Sequence, residues 1–172
     1  MLYEKFTRLI EEHAEYLTRR WLDEVKMNSA TKSYQKLPEN VLRERVFTVY
    51  KNLGEYMLSD DSNYEKCARH YFNLGQERAK EEIPLNEVIY ALILSRVLLW
   101  NYISENGFID GALELHNALN FYQKINAFFD KALYFSSLGY ESISSNDRKI
   151  DESEFIGKTA KALSHWIIKI PQ

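Results

Sequence analysis

Four residues in the middle of the chain have the types and spacing of a charged network: Arg78, Glu87, Arg96 and Trp100. Arg78 and Glu87 flank a break at Pro84, so two antiparallel helices would bring them within salt-bridge distance. Trp100 follows Arg96 by one helical turn, a spacing at which a guanidinium can lie over an indole ring. A buried arginine needs an acceptor. We therefore predict either a network that fixes helix register or a site where Arg78 or Arg96 binds a ligand carboxylate or phosphate.

Cys67 and His70 would share one face of a helix, a spacing at which two side chains can ligate a metal or haem iron. No second pair of ligands accompanies them, so Cys67 is expected to pack as a small hydrophobic residue. The GKT segment at 157–159 lacks the earlier glycine of a phosphate-binding loop. Acidic runs such as EEHAE and AKEEI are typical of solvated helix faces. We predict no catalytic residue and no cofactor.

Arg96 lies near the centre of the most apolar stretch of the chain, residues 86–103, which reads NEVIYALILSRVLLWNYI. Its charge-free run ends at Arg96, well short of the roughly 20 residues that a membrane-spanning helix needs. Apolar side chains occur on all sides of the predicted helix, a pattern typical of a helix that is surrounded by others. We therefore predict the central helix of a bundle and no transmembrane segment.

Helical periodicity extends over most of the chain up to residue 140. Glycine and proline are few, and no segment shows the two-residue alternation of a strand between turn signals. The predicted fold class is therefore all-α, a single bundle of about five main helices. The first two segments have apolar faces that run from Phe6 to Trp21 and from Leu42 to Met57, and the other three cover residues 63–80, 86–103 and 112–138.

Two glycines are assigned different roles by their positions. Gly75 lies inside the third predicted helix, where the missing side chain would let a neighbouring helix approach closely. Gly139 is expected to end the fifth helix, whose inner face would carry an apolar stripe. This stripe of the fifth helix consists of Leu115, Leu119, Tyr122, Ile125, Phe129, Ala132 and Leu133.

The first helix also has an apolar face, and we expect His13 to be buried on it.

The composition indicates one globular domain followed by a polar segment. Hydrophobic residues make up 45% of the chain, and a net charge of -3 is too mild for non-specific nucleic-acid binding. The single cysteine and the lack of a signal-peptide pattern in the opening residues predict a cytoplasmic protein. Residues 1–142 are predicted to form the helical domain, and 143–172 a polar linker with a terminal amphipathic helix. That helix would dock on its own bundle, form a dimer seam, or lie on a partner or membrane surface.

A series of motifs occurs in a recognisable order between residues 5 and 142: SYQKLP, LRERVFTVYKNLGEYM, the run from YFNLGQ to LLWNYI, and NFYQKINAFFDKALYFSSLGYE. Their order resembles the N-terminal domain family of the RsbT co-antagonist protein RsbRD. This family belongs to bacterial stress-signalling regulators and also precedes histidine kinases and other output modules. The most specific positions are Gly75, Arg78, Pro84, Leu85, Glu87, Ala91, Leu92, Arg96 and Trp100, with Asp130 and Tyr140 further along.

The resemblance implies a non-enzymatic sensor or regulatory domain over residues 1–142. Such a domain forms a homodimer and passes a signal to a signalling protein or an output module, with a small ligand as a further partner. Related co-antagonist domains have a globin-like fold without haem, so that arrangement is an alternative to a plain bundle. The second function left open is a globin-like carrier or sensor of haem or a small molecule, with His70 or His116 as the axial ligand.

Overall fold

The computed structural model describes the backbone of residues 2–57, 61–106 and 111–144, and the side chains of 4–55, 64–106 and 111–144. Within these ranges almost every residue is helical and no strand occurs, so the predicted all-α fold class is confirmed. This part of the chain forms seven α-helices and two 3₁₀ turns. The helices are α1 (Leu2–Glu12), α2 (Ala14–Met27), α3 (Glu39–Lys51), α4 (Leu53–Met57), α5 (Asp61–Lys80), α6 (Leu85–Glu105) and α7 (Ala112–Ser144), and the turns are Ser29–Thr31 and Tyr34–Lys36.

Two of the five predicted helices are each divided by a single residue. His13 separates α1 from α2 with φ -107° and ψ 18°, and Asn52 separates α3 from α4 with φ -109° and ψ 17°. The break leaves the His13 side chain exposed, while the next residue, Ala14, is buried. The prediction that His13 lies on the buried face is therefore wrong, because the interruption shifts that face by one residue.

Helix α6 is the central helix, and it contacts α2, α5 and α7. Among the described helices, α6 alone is long and apolar enough to cross a membrane by length and composition, but half of that apolar window is buried inside the molecule. A core helix has the same property, so this composition is weak evidence for a membrane span. Large side chains from six helices, α6 among them, fill the core: Phe6, Ile10, Leu17, Tyr50, Tyr71, Phe72, Leu99, Phe121, Phe129 and Phe135.

Helices α5 and α7 run parallel and form the most extensive helix pair. Lys131 of α7 lies over the Tyr64 ring early in α5, and Gln76 late in α5 donates a hydrogen bond to Ser142. At Gly75 the two backbones meet, because a Cβ added there would lie 1.9 Å from the carbonyl oxygen of Ser136. The predicted close approach of a helix at Gly75 is confirmed.

Gly139 lies inside α7 and does not end it, so the prediction of a helix stop is wrong. A Cβ added at Gly139 would lie 1.9 Å from the carbonyl oxygen of Phe72, which places this glycine in the same α5–α7 contact. Helix α7 continues to Ser144 and includes the first two residues of the predicted polar linker. The rest of that segment, 145–172, with its predicted amphipathic helix, lies outside the described residues.

The first half of α7 is less covered than its apolar pattern predicts. Leu115 and Leu119 are 48% and 49% exposed, so their assignment to the inner face is wrong. The inward side is formed instead by Ala118, Phe121 and Ile125. The reason is that α5 covers the second half of α7, whereas the first half meets α1 and α6 on one side only.

Candidate functional site

Helix α5 ends in a tight turn that fixes the positions of Arg78 and Glu81. The backbone N–H of Glu82 donates to the carbonyl of Ala79 at 3.1 Å, and that of Ile83 donates to the carbonyl of Arg78 at 3.0 Å. These two bonds form a Schellman motif. Glu82 has φ 56°, a left-handed conformation that favours glycine, and burial of Ile83 offsets the strain.

Two arginines share the carboxylate of Glu81. Arg45 of α3 donates from Nη1 and Nη2 to the two oxygens at 3.1 and 2.6 Å, and Arg78 donates from Nη1 at 3.2 Å. Glu77 is a second acid near Arg78, at 3.6 Å, but its side chain is 59% exposed whereas that of Arg78 is 5% exposed. Burial alone would raise the pKa of Glu81, but the hydrogen bond from Arg45 and the nearby charges hold it below its usual value.

Arg78 and Arg45 also line a small pocket between α2, α3, α5 and α6, which we call the inner pocket. Its volume is about 50 Å³ and its walls are mostly apolar. Burial raises the pKa of Tyr34 to about 12, which the nearby positive charge of Arg78 only partly offsets, so the phenol is neutral at physiological pH. The other lining residues are Trp21, Leu42, Val46, Val49, Leu74, Val88, Ala91, Leu92 and Ser95.

An open groove lies on the other side of the same arginines, between α3 and α5, with a volume of about 530 Å³. Arg45, Leu74 and Arg78 line both the groove and the inner pocket, so these three side chains form the wall between them. A molecule that enters the inner pocket from the groove must therefore pass these three side chains. The other groove residues are Val41, Glu44, Thr48, His70, Asn73 and Glu77.

His70 is expected to make the stability of the domain dependent on pH. Burial lowers the pKa of His70, which Glu77 opposes and Arg78 reinforces. The folded state therefore binds this proton more weakly than the unfolded state. Its contribution to stability is complete above about pH 6.5 and is lost as the pH falls from there through the lower folded-state pKa.

We expect urea unfolding from about pH 7.5 to about pH 5 to show this loss, and His70→Gln to reduce it. His116→Gln is the matched control, since His116 is exposed. The loss of folding stability that comes from protonation of Glu81 begins only below about pH 4.5, because the pKa of Glu81 is lowered in the folded state. An unchanged pH dependence in His70→Gln would contradict this assignment.

Glu87, expected to pair with Arg78, has a different role. Its carboxylate accepts hydrogen bonds from the backbone N–H of Ser33 at 2.8 Å and from the Ser33 hydroxyl at 3.1 Å. No Arg78–Glu87 ion pair occurs among the described residues, because the turn at the end of α5 directs Arg78 towards Glu81. Glu87 instead ties the loop between α2 and α3 to α6, next to a hydrogen bond from Asn28 to the Tyr90 hydroxyl at 2.8 Å.

Arg96 and Trp100 lie where α6 meets α7, and they do not stack on each other in the described structure. Arg96 is paired with Asp130 at 3.5 Å, and the two side chains are 27% and 61% exposed. The Trp100 ring packs on Tyr122 at 4.5 Å between centroids. The apolar stretch around Arg96 thus keeps its arginine half-exposed in an ion pair of the kind that contributes little to stability. Only Arg78 of the four predicted residues reaches the inner pocket.

The histidine and cysteine candidates are dispersed. Cys67 is buried, and burial raises the pKa of its thiol to about 12, so it packs as a protonated small hydrophobe, as predicted. His116 lies on an exposed part of α7, with its Nε2 3.1 Å from Nδ2 of Asn120. In the ranges that the structure describes, no three His, Cys, Asp or Glu side chains are grouped as a metal site.

The sequence did not single out Arg45, Glu81 or Tyr34. Arg45 and Glu81 belong to charged runs, LRERVF and AKEEI, which resemble solvated helix faces. Tyr34 lies in a loop without helical periodicity, although it belongs to the SYQKLP motif. The left-handed residue that ends a helix is usually a glycine. Position 82 is a glutamate instead, so the turn after Glu81 had no sequence signal.

The comparisons with known proteins bear on the family of the chain. No curated protein and no solved structure shows significant similarity to it. A family model described as the histidine kinase N-terminal domain matches residues 3–142, which includes all of the described helices except the first residue of α1 and the last two of α7. The chain therefore belongs to the histidine kinase N-terminal family, a bacterial signalling domain of the sensor type.

Proposed function

We propose that this chain is a non-enzymatic input domain that acts as a homodimer and repacks its helices when a partner or small ligand binds. A signalling protein or an output module would receive the signal. The motif order suggests the co-antagonists of a stress-response switch as the functional model, with action in the cytoplasm. The geometry of α7 supports this role, which is more specific than the family membership.

Helix α7 connects the arginine cluster to a distant surface of the domain. It contains 33 residues, a length of roughly 50 Å. Its first half packs on α1 and α6, and its second half lies against α5 through Gly75 and Gly139. Arg78 follows Gly75 by less than one turn. Any movement of α5 at the arginine cluster must therefore displace α7 or separate the two helices, because their backbones are in contact.

The first half of α7 offers a surface for a second copy. Leu115 and Leu119 are exposed, and Tyr122, one turn further, is half-buried against Trp100. Their spacing of four and three residues is that of a buried helix face. A face with this pattern that the described helices leave uncovered supports a self-complementary contact around a two-fold axis.

Light scattering of the purified chain tests the proposal. We expect a particle of twice the 20.4 kDa mass of the chain. Leu115→Glu combined with Leu119→Glu is expected to give monomers, since it would place four carboxylates in the contact. Met27→Glu is the matched control, because Met27 is 86% exposed on α2. A monomeric unmodified chain, or a dimer that persists in the double variant, would contradict the proposed contact.

A haem carrier is the weaker candidate. Of its three proposed ligands, Cys67 is buried as a neutral thiol and His116 is on an exposed helix face. His70 lines the open groove beside two glutamates, Glu44 and Glu77. The groove therefore favours polar partners over a large apolar macrocycle.

A further inference from the structure

The inner pocket combines an apolar interior with a buried cation at its edge. Eight of its lining residues are apolar, and the polar groups among them are mostly paired within the protein. The Trp21 indole donates to the carbonyl of Ala91 at 3.1 Å, and the Ser95 hydroxyl donates to the same carbonyl at 3.0 Å. The interior therefore offers few hydrogen bonds to a polar molecule. Of the two lining arginines, Arg45 already donates two hydrogen bonds to Glu81, so Arg78 is the group that can hold a charged end.

The charges around Arg78 leave an excess of positive charge on the buried side. Arg45 and Arg78 share one partly buried carboxylate, that of Glu81. Glu77 is 3.6 Å from Arg78, beyond good hydrogen-bond distance, and its side chain is mostly solvated. An incoming carboxylate can therefore displace Glu77 from Arg78 at small cost, because Glu77 regains full hydration in the groove.

The volume of the inner pocket limits the size of the apolar part. Since one water-sized group needs about 10–15 Å³, about 50 Å³ accommodates roughly three to five such groups. A tail of three carbon atoms fits this volume, and a six-carbon tail does not. The apolar walls disfavour a second charge at the inner end of the molecule.

We propose that the inner pocket binds a short-chain monocarboxylic acid, with its carboxylate on Arg78 and its alkyl tail between α3 and α6. This inference rests on the proposed function, because it names the class of ligand to which the input domain responds. Entry from the groove passes the wall of Arg45, Leu74 and Arg78. Binding acts next to Gly75, where α5 touches α7.

Isothermal titration of the full chain with sodium butyrate at about pH 7.5 tests the inference. We expect a dissociation constant on the order of 1 mM, which is reasonable for a ligand of this size. Binding should weaken for acetate, whose tail is a single methyl group, and for heptanoate, whose six-carbon tail is too long. 1-Butanol, which has no charge, should bind at least about fivefold more weakly than butyrate.

Three variants locate the site. Glu77→Gln removes the competing, solvated carboxylate and is expected to tighten butyrate binding about fivefold. Arg78→Met is expected to abolish binding while circular dichroism stays helical. Arg69→Met is the matched control on α5, since Arg69 is exposed and pairs only with Glu65 four residues away in the described structure. If Arg78→Met does not fold, the Glu77→Gln and 1-butanol results decide.

Several results would overturn the inference. These are no butyrate binding to either the unmodified chain or Glu77→Gln, equal binding of 1-butanol, equal binding of acetate and butyrate, or full binding by folded Arg78→Met. Light scattering on the same samples separates this inference from the proposed function. A dimer that does not bind butyrate contradicts only the ligand class, and a monomer that binds it contradicts only the dimeric mechanism.

Discussion

Gly75→Ala is expected to destabilise the domain by about 2–4 kcal/mol, although alanine is the better helix former by about 1 kcal/mol. The new Cβ would lie 1.9 Å from the carbonyl oxygen of Ser136 and 2.8 Å from the amide nitrogen of Tyr140. Both are backbone atoms of α7, so no side-chain rotation can relieve the overlap. The two helices must separate and give up packing along their whole contact. Urea denaturation followed by circular dichroism measures the change.

Two further variants make this result specific. Gly111→Ala is the matched control and should change stability by less than about 0.5 kcal/mol, since its nearest neighbour is the flexible end of Glu114. Gly139→Ala should cost about as much as Gly75→Ala, because its Cβ would meet the carbonyl of Phe72 at the same distance. The double variant should cost less than the sum, since the first substitution already separates the helices. Additive losses would indicate two independent contacts.

Glu81→Gln and Arg78→Met are expected to differ sharply, although they remove opposite partners of one ion pair. Glu81→Gln leaves the buried guanidinium of Arg78 without its partly buried counter-charge, since Glu77, 3.6 Å away, is mostly solvated; the cost is about 2–3 kcal/mol. Arg78→Met keeps the volume, and Glu81 keeps its two hydrogen bonds from Arg45. Its cost is about 1 kcal/mol, chiefly from the lost hydrogen bond between Arg78 and Glu81.

The stability of the double variant relative to Glu81→Gln shows whether the buried charge of Arg78 causes the loss. Adding Arg78→Met to Glu81→Gln removes the stranded buried charge, so the double variant should be more stable than Glu81→Gln alone. Arg45 is 29% exposed in its side chain and can be hydrated after the carboxylate is lost. Thermal and urea unfolding of the four proteins at one pH provide the cycle. A double variant less stable than either single variant would show that Arg78 is stabilising without Glu81.

The apolar periodicity of the chain determined the helices but not their interruptions. The expected helices at 63–80 and 86–103 correspond to α5 and α6 within two residues at each end. His13 and Asn52 interrupt the first two segments, and neither break is marked by a proline or glycine at that position. Gly139 was also misassigned. A glycine ends a helix or brings two helices together, and only the position of α5 distinguishes these roles.

The sequence alone determined that the protein is helical, that its central helix contains an arginine, and that Gly75 lies at a close helix contact. These features follow from the local periodicity of apolar residues and from the missing side chain of glycine, and both can be read directly from the sequence. Tertiary structure alone decided which charges meet. Arg45 and Glu81 are 36 residues apart and meet because α3 packs beside the end of α5. Long-range pairing depends on how helices dock, so the partner of Arg78 was Glu81 and not Glu87, and the inner pocket became visible only in the folded chain.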